Sequence, residues 1–279
     1  MSSTCFDVKI ENRIAHIALN RPDAHNSMIR AFWNELPAIV REIDTEAQAR
    51  VIVVSANGKH FSAGMDLSVF SDDASSGAMQ GDRYALAEAF RRHVLLLQKT
   101  FSCLEDARMP VLAAIQGACV GAGVDLVTAC DVRYATEDAF FQIAEINIGM
   151  TADVGTFPRL CKLIPEGWVR ELAYSGARLS ATKAKEIGLV NEVFATHEAL
   201  LAHVMGVAAA IAEKSPVAVA GSKRIINYAR DHSTADSLDY IATWNAGMLA
   251  PAHIAEAFAA KAQKRAAVFP DLHPLRRKM

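Results

Sequence analysis

The chain has 279 residues, of which 52% are hydrophobic and 22% charged, so it can bury the core of one large domain with or without a helical appendage. Its formal net charge of −2 provides no basic footprint for a phosphate backbone, and no apolar stretch approaches the ~18 residues that predict a membrane span. The five cysteines and nine histidines lack metal-ligand spacing, so we expect no metal site. Together with the charge and the apolar pattern, this predicts a soluble intracellular protein with no nucleic-acid partner and no membrane partner.

The first sixty residues predict a hairpin, a helix and a strand. Residues 6–19 alternate in hydrophobicity around a polar turn, as in a β-hairpin. Apolar positions at helical spacing over 28–43 predict a helix, which Asn26 or Ser27 would cap and Pro37 would kink. A β-branched run follows the helix and predicts a strand buried on both faces.

Strand and helix patterns continue to alternate through the middle of the chain. The predicted elements there are buried strands at 51–54 and 111–115, a mobile polar segment at 68–82, a helix over 83–105 with one apolar face, and short strands at 132–135 and 140–143. This alternation predicts an α/β architecture.

Beyond residue 158 the pattern is mostly helical. Ser180 is expected to cap a short helix that Gly188 ends, and the residues after 197 predict successive helices broken near 215, 231 and 251. We therefore place a domain division near residue 200.

Two glycine-containing turns each follow a buried strand, FSAGMDL at 61–67 and GACVGAGVDL at 117–126. Small residues let main chain approach a neighbouring group, and the second turn leads into a helix N-terminus that favours negative charge. The two turns could converge on one oxygen, or each could be an ordinary strand-to-helix connection.

Three carboxylates, Asp125, Glu145 and Asp153, occur in apolar surroundings within 29 residues. Taken singly, such an aspartate is usually a helix cap and such a glutamate usually reaches solvent. Together in a dry pocket they would raise one another's pKa, which prepares carboxyl groups to transfer protons near neutral pH.

At these residues the sequence resembles the enoyl-CoA hydratase/isomerase, or crotonase, superfamily. The resemblance covers nearly the whole chain and rests on LNRPDAHNSM, FSAGMDL and the run from GACVGAG to TFPRL. Within the superfamily it is most similar to the Δ3,5-Δ2,4-dienoyl-CoA isomerases, which carry Asp, Glu and Asp at the positions matching Asp125, Glu145 and Asp153. Hydratases carry glutamate at the first two of these positions and typically glycine at the third.

The resemblance implies an α/β crotonase-like fold, with a ββα spiral core over residues 1–200 and a C-terminal α-helical oligomerisation region over 201–279. Similar proteins form homotrimers, commonly stacked as hexamers, and bind an acyl-CoA thioester, so coenzyme A would be part of the substrate and no separate cofactor is expected. Several relatives end in a peroxisomal S-K-L-like signal. This chain ends in Arg277-Lys278-Met279, and we therefore expect a cytoplasmic protein.

The resemblance also assigns a site. The N–H groups of Met65 and Ala122 would bind the thioester carbonyl oxygen, which Ala122 allows if its φ is negative. Glu145 and Asp153 would transfer protons between C2 and C6, with Asp125 as a third polar group. The expected substrate-binding residues are Ala63, Gly64, Met65, Asp66, Leu67 and Ala122.

Three functions remain to be separated at this point. The first is isomerisation of 3,5-dienoyl-CoA to 2,4-dienoyl-CoA, the second is hydration of a 2-enoyl-CoA, and the third is acyl-CoA binding by an oligomer without turnover. The sequence leaves open the acyl chain length and which of Glu145 and Asp153 takes the C2 proton.

Overall fold

The computed structural model describes residues 3–66, 68–69 and 81–275, and it has the alternating strand and helix order that the sequence predicts. The strands are β1 Phe6–Glu11, β2 Ile14–Leu19, β3 Val51–Ala56, β4 Val111–Ile115, β5 Ala118–Val120, β6 Val132–Thr136, β7 Phe140–Gln142, β8 Arg178–Ser180 and β9 Glu192–Phe194. The helices are α1 Arg30–Thr45, α2 Arg83–Asp106, α3 Ala122–Thr128, α4 Thr156–Leu160, α5 Glu166–Ser175, α6 Ala181–Glu186, α7 His197–Ala212, α8 Pro216–Asp231, α9 Thr234–Met248 and α10 Pro251–Ala262. Short 3-10 turns cover Pro22–Ala24 and Glu145–Ile148.

Two sheets organise the described part of the chain. The larger has six strands in the order β1-β2-β3-β4-β6-β9, with β1 and β2 antiparallel and the remaining neighbours parallel. The smaller has the order β5-β7-β8, with β5 parallel and β8 antiparallel to β7. The hairpin at 6–19 is therefore confirmed.

The central strands β3 and β4 are buried along their whole length because helices cover both faces of the large sheet. Ile52 and Val54 pack into the cluster that contains the buried side of α1, whereas Val51 and Val53 pack against α7. This alternation follows from the two-residue period of a strand. The prediction of strands buried on both faces is confirmed.

The predicted cap of α1 is wrong. The helix begins at Arg30 after Ile29, without a side-chain cap, and it continues through Pro37. Asn26 lies earlier, in left-handed backbone with φ +53°, and its amide nitrogen donates to the carbonyl oxygens of Asn57 and His60 at 2.9 Å each. Its side chain therefore ties two loops together and cannot cap the helix.

The α2 helix extends to Asp106, and its first turn is capped by the Asp82 carboxylate. Its expected apolar face is buried only near the C-terminal end, where Phe101 and Leu104 enter the core. In the first half of the helix Phe90 is 55% exposed, whereas Leu86 and Val94 are half-buried. Most of the segment predicted to be mobile, 68–82, lies outside the described residues.

The C-terminal helices break where the sequence predicts, before Pro216, after Asp231 and before Pro251. The α7 helix packs on the large sheet, and the expected domain division near residue 200 falls within it, so that division stays a prediction. In the described residues no single helix meets the length and apolarity of a membrane span. The pair α7 and α8 meets them jointly, with a bend of 110° between the two.

Candidate active site

Among the described residues of the first glycine-containing turn, one main-chain donor has no acceptor. The N–H groups of Ser62, Ala63, Gly64 and Asp66 each donate to an oxygen of the protein at 2.9 to 3.1 Å. The intervening Met65 N–H has no acceptor among the described residues. Since an unpaired N–H is costly to bury, Met65 supplies a donor suited to a ligand oxygen.

The second turn presents donors at the start of α3. Gly121 has φ +52° and donates its N–H to the Gln142 carbonyl at 2.9 Å. In the part of the chain that the structure describes, the N–H groups of Ala122 and Gly123 find no acceptor. Ala122 is the first helical residue and its φ is not positive, so its methyl group adds no backbone strain.

The two turns lie side by side. Ser62 pairs with the strand β5, donating to Ala118 O and accepting from Val120 N at 3.0 Å each. A Cβ atom added to Gly64 would lie 2.7 Å from Val120 O and 3.4 Å from Ala122 N. Only a glycine allows this approach at φ +86°, and the approach brings the Met65 and Ala122 donors to neighbouring positions.

The other expected binding residues differ in whether their side chains are free to contact a ligand. Ala63 is exposed. The Asp66 carboxylate is already engaged, because it accepts hydrogen bonds from the Ser27 and Ser68 hydroxyls at 2.7 Å each. These hydrogen bonds lower the pKa of Asp66 to about 2, and the carboxylate therefore holds the turn in place. Leu67 lies outside the described residues.

Asp125 is fully buried in the first turn of α3. Its Oδ1 accepts from the Thr156 N–H at 2.6 Å, while Oδ2 has no partner among the described residues. Burial, followed by the charge of Glu145, raises the pKa of Asp125 to about 7, against the opposing effect of the Thr156 hydrogen bond. The carboxyl group can therefore take up and release a proton near neutral pH.

Glu145 opens the 3-10 turn after β7 and lies against the second glycine turn. A Cβ at Gly121 would lie 3.3 Å from Glu145 Oε1, and Oε2 is buried without a partner among the described residues. Burial, together with the charge of Asp153, raises the pKa of Glu145. Glu145 thus interacts electrostatically with both of the other acids.

Asp153 is half-buried on the loop before α4, and burial raises the pKa of its carboxyl group. The nearby His93 on α2 acts in the opposite direction. The structure therefore brings the three acids into one electrostatically coupled group, with Glu145 coupled to Asp125 and to Asp153. Such a group can hold and exchange protons near neutral pH.

Sequence reasoning missed the residues that hold these acids. They are Thr156, which binds Asp125, and Gln98, Ser102, Glu105 and Arg159, which surround the Asp153 loop. The spacing of Gln98, Ser102 and Glu105 could have placed them on one face of a helix. It could not have shown which loop that face contacts.

The chain is similar to known proteins over most of its length. A family model described as enoyl-CoA hydratase/isomerase matches residues 9–271. The chain is 46% identical to the Delta(3,5)-Delta(2,4)-dienoyl-CoA isomerase, mitochondrial, of Mus musculus over 91% of this chain and 78% of that protein. It is 38% identical to the peroxisomal protein of that name from Arabidopsis thaliana, over 94% of each chain.

A crystal structure of an enoyl-CoA hydratase from Bacillus anthracis is 30% identical and superimposes with a TM-score of 0.84 over 95% of this chain and 99% of that one. The expected crotonase-like α/β fold is thereby confirmed. The named isomerases above are mitochondrial or peroxisomal, so the cytoplasmic location expected for this chain stays a prediction.

Proposed function

This chain belongs to the enoyl-CoA hydratase/isomerase family, and we propose that it converts 3,5-dienoyl-CoA to 2,4-dienoyl-CoA. The observation that carries the proposal is the position of Glu145, whose carboxylate lies against Gly121 and is coupled to both Asp125 and Asp153. The names of relatives 38 to 46% identical to this chain support the same reaction.

The thioester carbonyl is bound by the Met65 and Ala122 N–H groups, which have no acceptor elsewhere in the described residues. Loss of a proton from C2 moves negative charge onto the carbonyl oxygen. Fixed donors stabilise that charge better than the neutral carbonyl, and one such donor is commonly worth ~3 to 4 kcal/mol.

The position of Glu145 favours it as the base at C2. Its Oε1 lies beside Gly121, directly before the Ala122 donor, so it is the acid next to the carbonyl end of the substrate. The C2–H bond breaks, the proton passes to Glu145, and the electron pair forms a C1–C2 double bond with the negative charge on the thioester oxygen. Asp153, in its protonated form, then gives a proton to C6. The thioester carbonyl re-forms, and the C3–C4 and C5–C6 double bonds shift to C2–C3 and C4–C5.

Asp125 acts on Glu145 and not on the substrate carbons. Its Oδ1 is held by Thr156, and its pKa of about 7 lets it exist in both protonation states at neutral pH. A neutral Asp125 leaves Glu145 with one negative neighbour fewer, which keeps Glu145 available as a base. Coenzyme A is part of the substrate in this reaction, and no separate cofactor takes part.

The proposal is tested with a 3,5-dienoyl-CoA and the absorbance of the 2,4-dienoyl product. We expect Glu145→Gln and Asp153→Asn each to lower kcat by about 10²- to 10⁴-fold, because general acid–base groups contribute that much. Glu186→Gln, which removes an exposed glutamate from α6, serves as the control and keeps full activity.

No product at micromolar wild-type enzyme would reject the proposal. A second contrary result is hydration of crotonyl-CoA that Asp153→Asn leaves unchanged, because a hydratase needs Asp153 for neither step. Tight acyl-CoA binding without solvent deuterium at C2 would identify a binding protein without turnover.

A further inference from the structure

One face of α2 carries three polar side chains beside the proposed site. Gln98, Ser102 and Glu105 are spaced by four and three residues, so they lie along the same side of the helix, and we call them the α2 stripe. All three line a cavity of about 310 Å³, together with Asp153 and Arg159. The stripe therefore faces the loop that carries one of the proposed proton-transfer groups.

Gln98 makes the first of two attachments to this loop. Its Nε2 donates to the main-chain carbonyl of Asp153 at 2.7 Å. The hydrogen bond joins residues that are 55 positions apart in the sequence, and it fixes the backbone of Asp153. The Gln98 amide does not bind the Asp153 carboxyl group.

Glu105 and Ser102 make the second attachment, through Arg159 on α4. The Arg159 Nε lies 2.7 Å from Glu105 Oε2, and one terminal nitrogen donates to the Ser102 hydroxyl at 3.0 Å. The side chains of Arg159 and Glu105 are only 10% and 17% exposed, so solvent screens this ion pair weakly. Glu105 Oε1 also forms an ion pair with Arg230 of α8 at 2.8 Å.

Arg159 in turn fits against the start of its own helix. A Cβ added to Gly155 would lie 1.8 Å from the Arg159 guanidinium, so the guanidinium occupies the space beside Gly155. The next residue, Thr156, donates its N–H to Asp125 Oδ1 at 2.6 Å. The α2 stripe thus holds the loop at Asp153 and, through Arg159, the start of α4 beside Thr156.

We propose that Gln98 and Glu105 are positioning residues that set Asp153 relative to Glu145 and so select the carbon that receives the second proton. This inference rests on the proposed isomerase activity. The dienolate formed at C2 can accept a proton at C2, C4 or C6. Return at C2 regenerates the substrate, C4 gives the 2,5-diene, and C6 gives the 2,4-diene.

The experiment compares two rates for the full-length protein in D₂O with one 3,5-dienoyl-CoA. One is the appearance of 2,4-dienoyl absorbance, and the other is deuterium incorporation at C2 of recovered substrate, read by mass spectrometry together with any 2,5-diene. The variants are Glu105→Gln and Gln98→Met. The control is Glu88→Gln on the same helix, which breaks the exposed Glu88–Arg92 pair.

We expect the ratio of C2 exchange to isomerisation to rise about 10- to 100-fold in both variants, because displacement of a reacting group by about 1 Å can cost 10²-fold in the step it serves. The control keeps the wild-type ratio. A structural role alone would lower both rates together and leave the ratio unchanged, and that result would overturn the inference.

The two proposals fail differently. A wild-type enzyme that neither exchanges C2 nor isomerises defeats the proposed function, whereas a wild-type enzyme active in both, with unchanged ratios in the variants, defeats only the positioning role. If Glu105→Gln is too unstable to purify, the ratio in Gln98→Met, which retains both ion pairs of Glu105, decides the question.

Discussion

Gly64 lies where the two turns of the candidate site meet, and its missing side chain is a specific requirement of that contact. An alanine there would have a Cβ 2.7 Å from Val120 O and an unfavourable φ of +86°. We expect Gly64→Ala to lower the free energy of unfolding by about 1 to 3 kcal/mol and activity by about 10²-fold, because the turns and their donors must move apart.

Gly206→Ala is the matched control for that substitution. Gly206 lies within α7, where an added Cβ meets nothing within 4 Å. Alanine should stabilise the helix by about 0.5 to 1 kcal/mol and leave activity unchanged. Denaturant unfolding and initial rates of both variants provide the comparison, and an active, stable Gly64→Ala protein would refute the importance of the contact.

Asp125 predicts a pH dependence of stability. Its pKa is about 7 in the folded protein, against ~3.9 for an aspartate in an unfolded chain. Between these values the folded state retains a proton that the unfolded state releases, so this group's contribution to stability falls as pH rises. Asp125→Asn removes the dependence while keeping an oxygen that can accept from Thr156.

We therefore expect the free energy of unfolding of Asp125→Asn, relative to wild type, to increase between pH 5 and pH 8 by at most about 3 kcal/mol. Urea unfolding at both pH values measures it. Asp23→Asn, at an exposed aspartate, should show a constant difference. The same constant difference in Asp125→Asn would mean that the buried carboxyl group is ionised throughout this range.

At the residue scale, the sequence singled out Asp125, Glu145 and Asp153, because three acids close together in apolar surroundings are unusual and these positions match the family pattern. The structure brings the three acids together, and their catalytic roles stay a prediction. The resemblance named Met65 as a donor, but the sequence could not show that, among the described residues of its turn, only the Met65 N–H has no acceptor. That property depends on the acceptors that Ser62, Ala63, Gly64 and Asp66 find in other segments. Thr156 was equally invisible, since its contribution is a main-chain N–H that any residue except proline would supply.

At the scale of elements, the buried side chain of Lys223 links α8 to the core through an ion pair and two hydrogen bonds. The Lys223 ammonium lies 2.9 Å from Asp131 Oδ2 and donates to the carbonyl oxygens of Leu104 and Met109 at 2.7 and 3.0 Å. Lys223→Met would remove the ammonium donor from both carbonyl oxygens and would leave Asp131 Oδ2 with only the Val111 N–H. We expect a loss of about 3 to 5 kcal/mol in the free energy of unfolding, as for other broken buried pairs.

The exposed Lys214 provides the control for this prediction. Lys214→Met should change stability by less than about 0.5 kcal/mol in the same denaturation experiment. Equal effects of the two substitutions would show that the Lys223 contacts add nothing beyond those of a surface lysine.

The elements themselves were largely predictable, since strand and helix periods and the proline breaks are local properties. The cap of α1 was not predictable, because the Asn26 side chain donates hydrogen bonds to the carbonyl groups of residues 57 and 60 instead of capping the helix. The burial of the α2 helix was not predictable either. The helical spacing of its apolar residues is correct, but this spacing does not indicate that only the last turns of the helix pack into the core of this chain.

At the scale of the whole molecule, the C-terminal helices expose large apolar side chains, among them Leu238, Met248, Leu249 and Phe258. A cavity of about 590 Å³ lies among α8, α9 and α10, so these helices do not close on one another. Exposed apolar surface of this extent is typical of a protein interface. We propose that copies of the chain associate through these helices as a homotrimer or hexamer.

Phe258 tests this proposal, because it is 70% exposed on α10. Light scattering should give three or six times the chain mass of 30.2 kDa for wild type, and a smaller mass for Phe258→Glu, since burying a charge at an apolar contact is costly. Tyr174→Glu on α5, where the tyrosine is 69% exposed, should keep the wild-type mass. A wild-type monomer at micromolar concentration would contradict the proposed assembly. An unchanged mass for Phe258→Glu would show that the interface does not include this part of α10.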